Sequence, residues 1–179
     1  MSAVMMKILF NPFEDRTDRD VRNFLGSVFI SALHKGDHTS VAQAVSELGR
    51  KKLPDRAQNY IKARHERYTA VLSQISSNPI LGADIYATAC LLWDEALFFE
   101  CHEWLEQNYR AAQGQKKKVL QAMIRTAGTF ELLAYNRKKA AVSVAAKALA
   151  VLEPHLLQVP ESFDIHPKMA RLRAVIKDA

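Results

Sequence analysis

From Val21 almost to the end of the chain, apolar residues return every three or four positions, and that period restricts the fold more than any other feature. An α-helix turns roughly 100° per residue, so positions i, i+3, i+4 and i+7 share a face. Val21, Phe24, Leu25, Val28, Phe29, Ala32 and Leu33 form one such stripe. Ala141, Val142, Ala145, Ala148, Leu149 and Leu152 form another. With 6 glycines and 6 prolines among 179 residues, long helices are favoured over a turn-rich β fold. The pattern predicts an all-α protein, a compact bundle of antiparallel helix hairpins with about six to eight helices.

Punctuation places the helices. Met1 to Phe13 reads as an extended lead-in with a turn at Asn11-Pro12. Thr17, with Asp20 three residues on, resembles a capping box and opens the first helix, which Gly36 ends. Thr39 or Ser40 caps a short second helix closed by Gly49, and Arg50-Lys51-Lys52 reads as a solvated basic turn before Pro54. Asp55 caps a third helix reaching about Ser76. The break Ser76-Ser77-Asn78-Pro79 separates an N-terminal helical portion, 1–78, from a second portion, 79–179, the two read as one compact unit. Further helices are expected over Gly82–Leu92, from Leu97 to Tyr109, over Lys118–Tyr135 and Lys138–Leu152, and after His166-Pro167, with Asp94 a candidate cap for the Leu97 helix. Lys116-Lys117-Lys118 at the start of a helix opposes the helix dipole, a cost that solvent screens.

Size and composition narrow the class. The chain is long enough for a sizeable core, and 49% hydrophobic with 25% charged residues is ordinary for a globular protein. A net charge of +6 permits contact with nucleic acid or an acidic partner without requiring it. The two cysteines, Cys90 and Cys101, lack ligand-like spacing and read as small buried hydrophobes in a reducing compartment. No apolar run of membrane length and no signal peptide stand out, so a cytoplasmic location is expected, with no membrane partner.

The stretch from Trp93 to Tyr109 is different. It sets five carboxylates, three of them after Leu97, and a histidine into a helical apolar pattern. Phe98, His102, Leu105 and Tyr109 fall on one stripe, with Phe99 and Glu106 at its edge, which puts His102 near the middle of the buried face. On the following helix Glu131 shares a stripe with Leu120, Met123, Ile124 and Ala127, while Gln121 and Arg125 flank Gly128, where a neighbouring helix could approach closely. This predicts a polar junction between two helices, built from His102, Glu103, Glu106, Gln121, Arg125 and Glu131, with Arg125 as counter-charge because its planar fork matches a carboxylate. Candidate catalytic residues are Glu100, His102, Glu103, Glu106 and Arg125; the weak metal candidates are His102 and Glu106. Two named chemistries are excluded by spacing. The zinc-protease helix needs a second His where Glu106 stands, and the di-iron bundle needs Glu three residues before His where Phe99 stands.

The run Phe98-Phe99-Glu100-Cys101-His102-Glu103-Trp104-Leu105-Glu106 resembles the signature of a bacterial and archaeal family, the domain of unknown function 309 (DUF309). Leu120-Gln121-Ala122-Met123-Ile124-Arg125 resembles that family's next helix, and Pro160, Phe163, Asp164 and Ile165 its closing segment, so the likeness covers roughly Asp84 to the C-terminus. The sequence departs from the family pattern at Asp94, Ala96, Leu132 and Asn136-Arg137; the pattern's Gly before the signature is Ala96 and its second-helix His is Leu132. The resemblance implies an all-helical domain and supplies no reaction.

Three functions follow from the residues. The first is a non-catalytic helical domain that binds a protein partner or a second copy of itself, with the polar junction structural. The second is a hydrolase using Glu103 or Glu106 as general base with His102, with or without a metal. The third is a nucleic-acid or anion binder using the lysine runs. No cofactor is implied by any motif, and the sequence leaves open whether the chain is an enzyme.

Overall fold

The structure, a computed structural model, describes residues 9–178. Nine α-helices and no strand occur among the described residues. The chain divides into two compact units, residues 1–72 and 73–179.

The first unit contains α1 (Arg16–Lys35), α2 (Thr39–Gly49) and the larger part of α3 (Asp55–Ser77). Val21, Leu25, Phe29 and Ala32 of the expected α1 stripe are buried, together with Ile30 outside it, beside Val41, Ala44 and Leu48 of α2 and Ala57, Ile61 and Tyr68 of α3, whereas Phe24, Val28 and Leu33 are half-buried. Phe29 and Tyr68 stack with ring centroids 3.9 Å apart. The cap of α1 lies two residues before the expected one: Asp15, not Thr17, accepts the Asp18 N–H at 3.0 Å. Asp18 is fully buried and takes Arg56 Nε at 3.0 Å and the Asn11 N–H at 2.8 Å, while Arg56 also reaches Asp15 at 2.8 Å. These bonds tie the lead-in, α1 and α3 together. Gly36 ends α1 at φ 64, a left-handed conformation that costs glycine little. The expected side-chain cap on α2 is absent; Asp37 instead accepts the Thr39 N–H at 2.9 Å. The part of the lead-in before Leu9 lies outside the described residues.

The second unit holds α4 (Pro79–Ala83), α5 (Ile85–Asp94), α6 (Phe98–Tyr109), α7 (Gly114–Ala134), α8 (Lys138–Leu152) and α9 (Ile165–Lys177), with two short 3-10 segments, 153–158 and 161–163. Successive helices pack as neighbours: α5 on α6, α6 on α7, α7 on α8 and α8 on α9. The expected Gly82–Leu92 helix is in fact two. Asn78 caps α4, and Asp84, extended at φ −94 and ψ 111, breaks the chain and caps α5 by accepting the Tyr86 and Ala87 N–H groups at 2.8 and 3.1 Å. α7 begins at Gly114, four residues before the expected start, so the three lysines lie inside its first turns; Lys117 reaches over the Tyr109 ring at 4.7 Å.

The α5–α6 and α7–α8 hairpins use the same turn. Leu97 N–H returns to Leu92 C=O at 2.8 Å, and Arg137 N–H to Leu132 C=O at 2.9 Å. Each turn passes through one left-handed residue, Ala96 at φ 52 and Asn136 at φ 59. Asn tolerates that conformation; Ala does so at a cost. The two helices do not fuse at Ala96, and Asp94 is the last residue of α5 and not a cap for α6.

Candidate functional site

The buried face of α6 is turned from the expected one. Cys101 and Leu105 are fully buried and Trp104 nearly so, with Glu100 fully buried beside them and Leu97 just before the helix. That stripe is centred on Cys101, one residue and so roughly 100° round from His102. Two bonds fix it on α5: Trp104 Nε1–H donates to Ile85 C=O at 2.8 Å, and Cys101 Sγ–H to Ala89 C=O at 3.3 Å. Phe98 does not enter the core; it sits at the edge, against Trp93 at 5.1 Å and Phe130 at 5.6 Å.

The acidic signature is therefore split. Glu100 points inward. His102 and Glu103 are half-buried and Glu106 is exposed. Their ligand atoms lie within 4.8 Å of one another, the only such trio of potential metal ligands among the described residues. Glu103 and Glu106 also line a shallow groove of about 360 Å³ with Gln107 and Arg110. The predicted junction is only partly assembled. Glu131 is buried on α7, and Gln121 and Arg125 are half-buried there. The Arg125 guanidinium makes no ion pair or hydrogen bond among the described residues, which removes it as the counter-charge of a buried Glu. Gly128 does not mark a close helix approach: a methyl group built there would meet only His102 Nδ1, at an ordinary 3.6 Å.

The two nitrogens of His102 see different surroundings. Nε2 lies 3.3 Å from Glu106 Oε2, at i+4. Nδ1 is buried and has no hydrogen-bond partner among the described residues. A buried N–H without an acceptor costs about 1–3 kcal/mol, more than a bare lone pair facing apolar atoms. The proton therefore belongs on Nε2, where Glu106 accepts it, and the free lone pair faces Gly128 inside the protein. A metal on Nε2 would push the proton to Nδ1, where it lacks the acceptor that metal-bound histidines normally have. The trio could hold a divalent cation through its carboxylates, with His102 a poorly supported third ligand.

Residues 86–144, which run from the start of α5 into α8, match the family model described as domain of unknown function DUF309. This stretch, about a third of the chain, is similar to DUF309. The matched part of DUF309 includes the whole signature helix and both left-handed turns; the closing segment at Pro160–Ile165 lies beyond it. No curated protein and no solved structure matches the chain.

Two features near the DUF309 segment were not anticipated. Lys168 on α9 is 2% exposed, although it sits between Ile165 and Leu172 at spacings of three and four that signal a buried position. Cys90 is half-buried, and its thiol is pushed up by burial while Lys168 pulls it down. The second is α8. Residues 138–158, α8 with the 3-10 segment after it, have the length of a membrane span and contain an 18-residue window of mean hydropathy 1.4, contrary to the reading that no such run exists. Lys138, Lys139 and Lys147 break up the run by eye without lowering its mean far enough.

Proposed function

We propose that the second unit is a non-catalytic interaction domain whose docking face is the groove between α7, α8 and α9, and that its partner is an amphipathic segment with acidic flanks. The observation that supports this reading is the mismatch on α8. Ala141, Ala145, Ala148, Leu149 and Leu152 are buried against the neighbouring helices, yet only 28% of the apolar window is buried. Ala140, Ser143, Ala146 and Ala150 are exposed, and Leu133, Val142 and Val175 line a groove of about 350 Å³ beside Phe130. Exposed apolar area of this kind marks interaction sites.

Charge selects the partner. Every charged residue of α8 is a lysine: Lys138, Lys139 and Lys147. Arg171 adds a cation at the groove, 4.2 Å over the Phe130 ring, against one acid, Asp178. A second copy docked through α8 would set lysine against lysine, whereas acidic residues would complement both the lysines and the positive end of the helix.

The test is anisotropy with a labelled helical peptide bearing leucines at i, i+3, i+4 and i+7 and glutamates on its flanks. Binding that saturates, weakens with salt and falls at least tenfold in Val142→Asp supports the proposal. Equal binding of a lysine-flanked peptide, vesicle binding through α8, or self-association in sedimentation would overturn it. A second reading, a metal-assisted hydrolase, rests on the His102, Glu103 and Glu106 trio. Stoichiometric metal in protein purified without an affinity tag, lost in Glu106→Gln, would favour it over the first.

A further inference from the structure

Lys168 carries its charge into the core without a carboxylate partner. Its Nζ donates to Asp164 C=O at 3.1 Å and to Cys90 Sγ at 3.3 Å, and lies 4.9 Å from the Phe163 ring centre and 5.4 Å from that of Trp93. No Asp or Glu oxygen comes within ion-pair distance of it among the described residues. A buried ammonium compensated only by a carbonyl, a thiol and two rings remains costly. Cys90, whose sulfur it faces, is half-buried, whereas Cys101 is buried, so Cys90 is the more accessible of the two thiols. The thiol hydrogen is directed to Asp94 Oδ2 at 3.9 Å, away from Nζ. The second thiol, Cys101, is fully buried with its hydrogen on Ala89 C=O, which leaves Cys90 as the one open to oxidants.

We propose that Cys90 and Lys168 form a peroxide-responsive bridging site, in which oxidation of Cys90 leads to a covalent Sγ–Nζ bond. In the first step the Cys90 sulfur attacks a peroxide oxygen; the O–O bond breaks, sulfur is oxidised to the sulfenic acid, and water leaves. Lys168 then releases one proton to solvent, and its amine attacks the sulfenic sulfur. The S–N bond forms, the S–O bond breaks, and the departing hydroxide takes an amine proton to become water. Two hydrogens are lost overall and one peroxide is reduced to two waters. The 3.3 Å separation is already that of a near-attack pair. The product replaces a buried ammonium by an uncharged nitrogen, so bridging raises the melting temperature. Because burial holds the thiol in its protonated form, the first step is slow.

The experiment treats the full chain with hydrogen peroxide and follows intact mass, then maps the peptides. The expected result is a loss of two hydrogens, in both the native protein and Cys101→Ala, located to a cross-link between the peptides bearing residues 90 and 168 and reversed by dithiothreitol. Cys90→Ser abolishes it, and Lys168→Met shows oxygen addition at Cys90 instead. The proposal fails if the native protein only gains oxygen at Cys90, if the two-hydrogen loss vanishes in Cys101→Ala and so reports a disulfide, or if no change occurs at peroxide levels that oxidise free cysteine. The Cys101→Ala arm retains both reacting residues, so the outcome stands even where Lys168→Met fails to fold.

Discussion

Replacing Ala96 with glycine should make the protein more stable, although glycine normally weakens a helical fold. Ala96 sits at φ 52 in the turn that delivers the chain into α6. An L-residue in the left-handed region is disfavoured by about 1–2 kcal/mol. Glycine removes that strain but gives the unfolded chain extra freedom, worth roughly 0.5–1 kcal/mol. The net is a stabilisation of about 0.5–1 kcal/mol, or a rise of about 1–4 °C for a chain of this size. Ala89→Gly is the matched control. Ala89 is fully buried inside α5, so the same change there forfeits helix propensity of about 1 kcal/mol and a buried methyl of about 0.8 kcal/mol, a loss near 2 kcal/mol. Urea titration followed by circular dichroism measures both, provided the slope m is unchanged between variants. If Ala96→Gly lowers the midpoint as Ala89→Gly does, then Ala96 is not held at positive φ, and the turn positioning the signature helix is not the one described.

Asp84→Ala should cost about 1 kcal/mol at neutral pH by uncapping α5. Burial works against the Asp84 carboxylate, but bonds from the Ala87 N–H, the Ser162 hydroxyl and the Tyr86 N–H outweigh it and hold its pKa below the usual value. Its contribution is therefore complete above the ordinary aspartate range and lost as pH falls through that range to the depressed folded value, so variant and native melting temperatures should converge in acid. Asp18→Ala, which strands Arg56 and the Asn11 N–H, should destabilise by about 3 kcal/mol in thermal unfolding, whereas Arg125→Met should stay within about 0.5 kcal/mol because no partner is lost. Gly128→Ala meets only an ordinary contact with His102 and should stabilise α7 by up to about 1 kcal/mol; a drop in melting temperature would show that the glycine is needed for packing after all.

The helices were legible because their buried faces obey the period of 3.6, and α1 and α8 show it without interruption. The signature helix was misread by one residue for a physical reason. Its core stripe is Leu97, Glu100, Cys101, Trp104 and Leu105, and the carboxylate in that stripe hides it, while Phe98 and Tyr109 draw attention to the neighbouring face. Lys168 was hidden likewise: a charge at a buried position reads as the edge of a stripe when only apolar residues are counted. The turn at Ala96 was not legible, since backbone sign depends on what the two helices require of it and not on alanine's own preference. The Glu-x-His-Glu-x-x-Glu motif is thus two patterns laid over each other. One carries Glu100 into the packing of α6; the other sets His102, Glu103 and Glu106 along its accessible side. A motif that mixes the two cannot be assigned a single chemistry as a block. The imidazole, whose lone pair faces Gly128, belongs functionally with the packed side, and the two outer carboxylates line the groove on the accessible side.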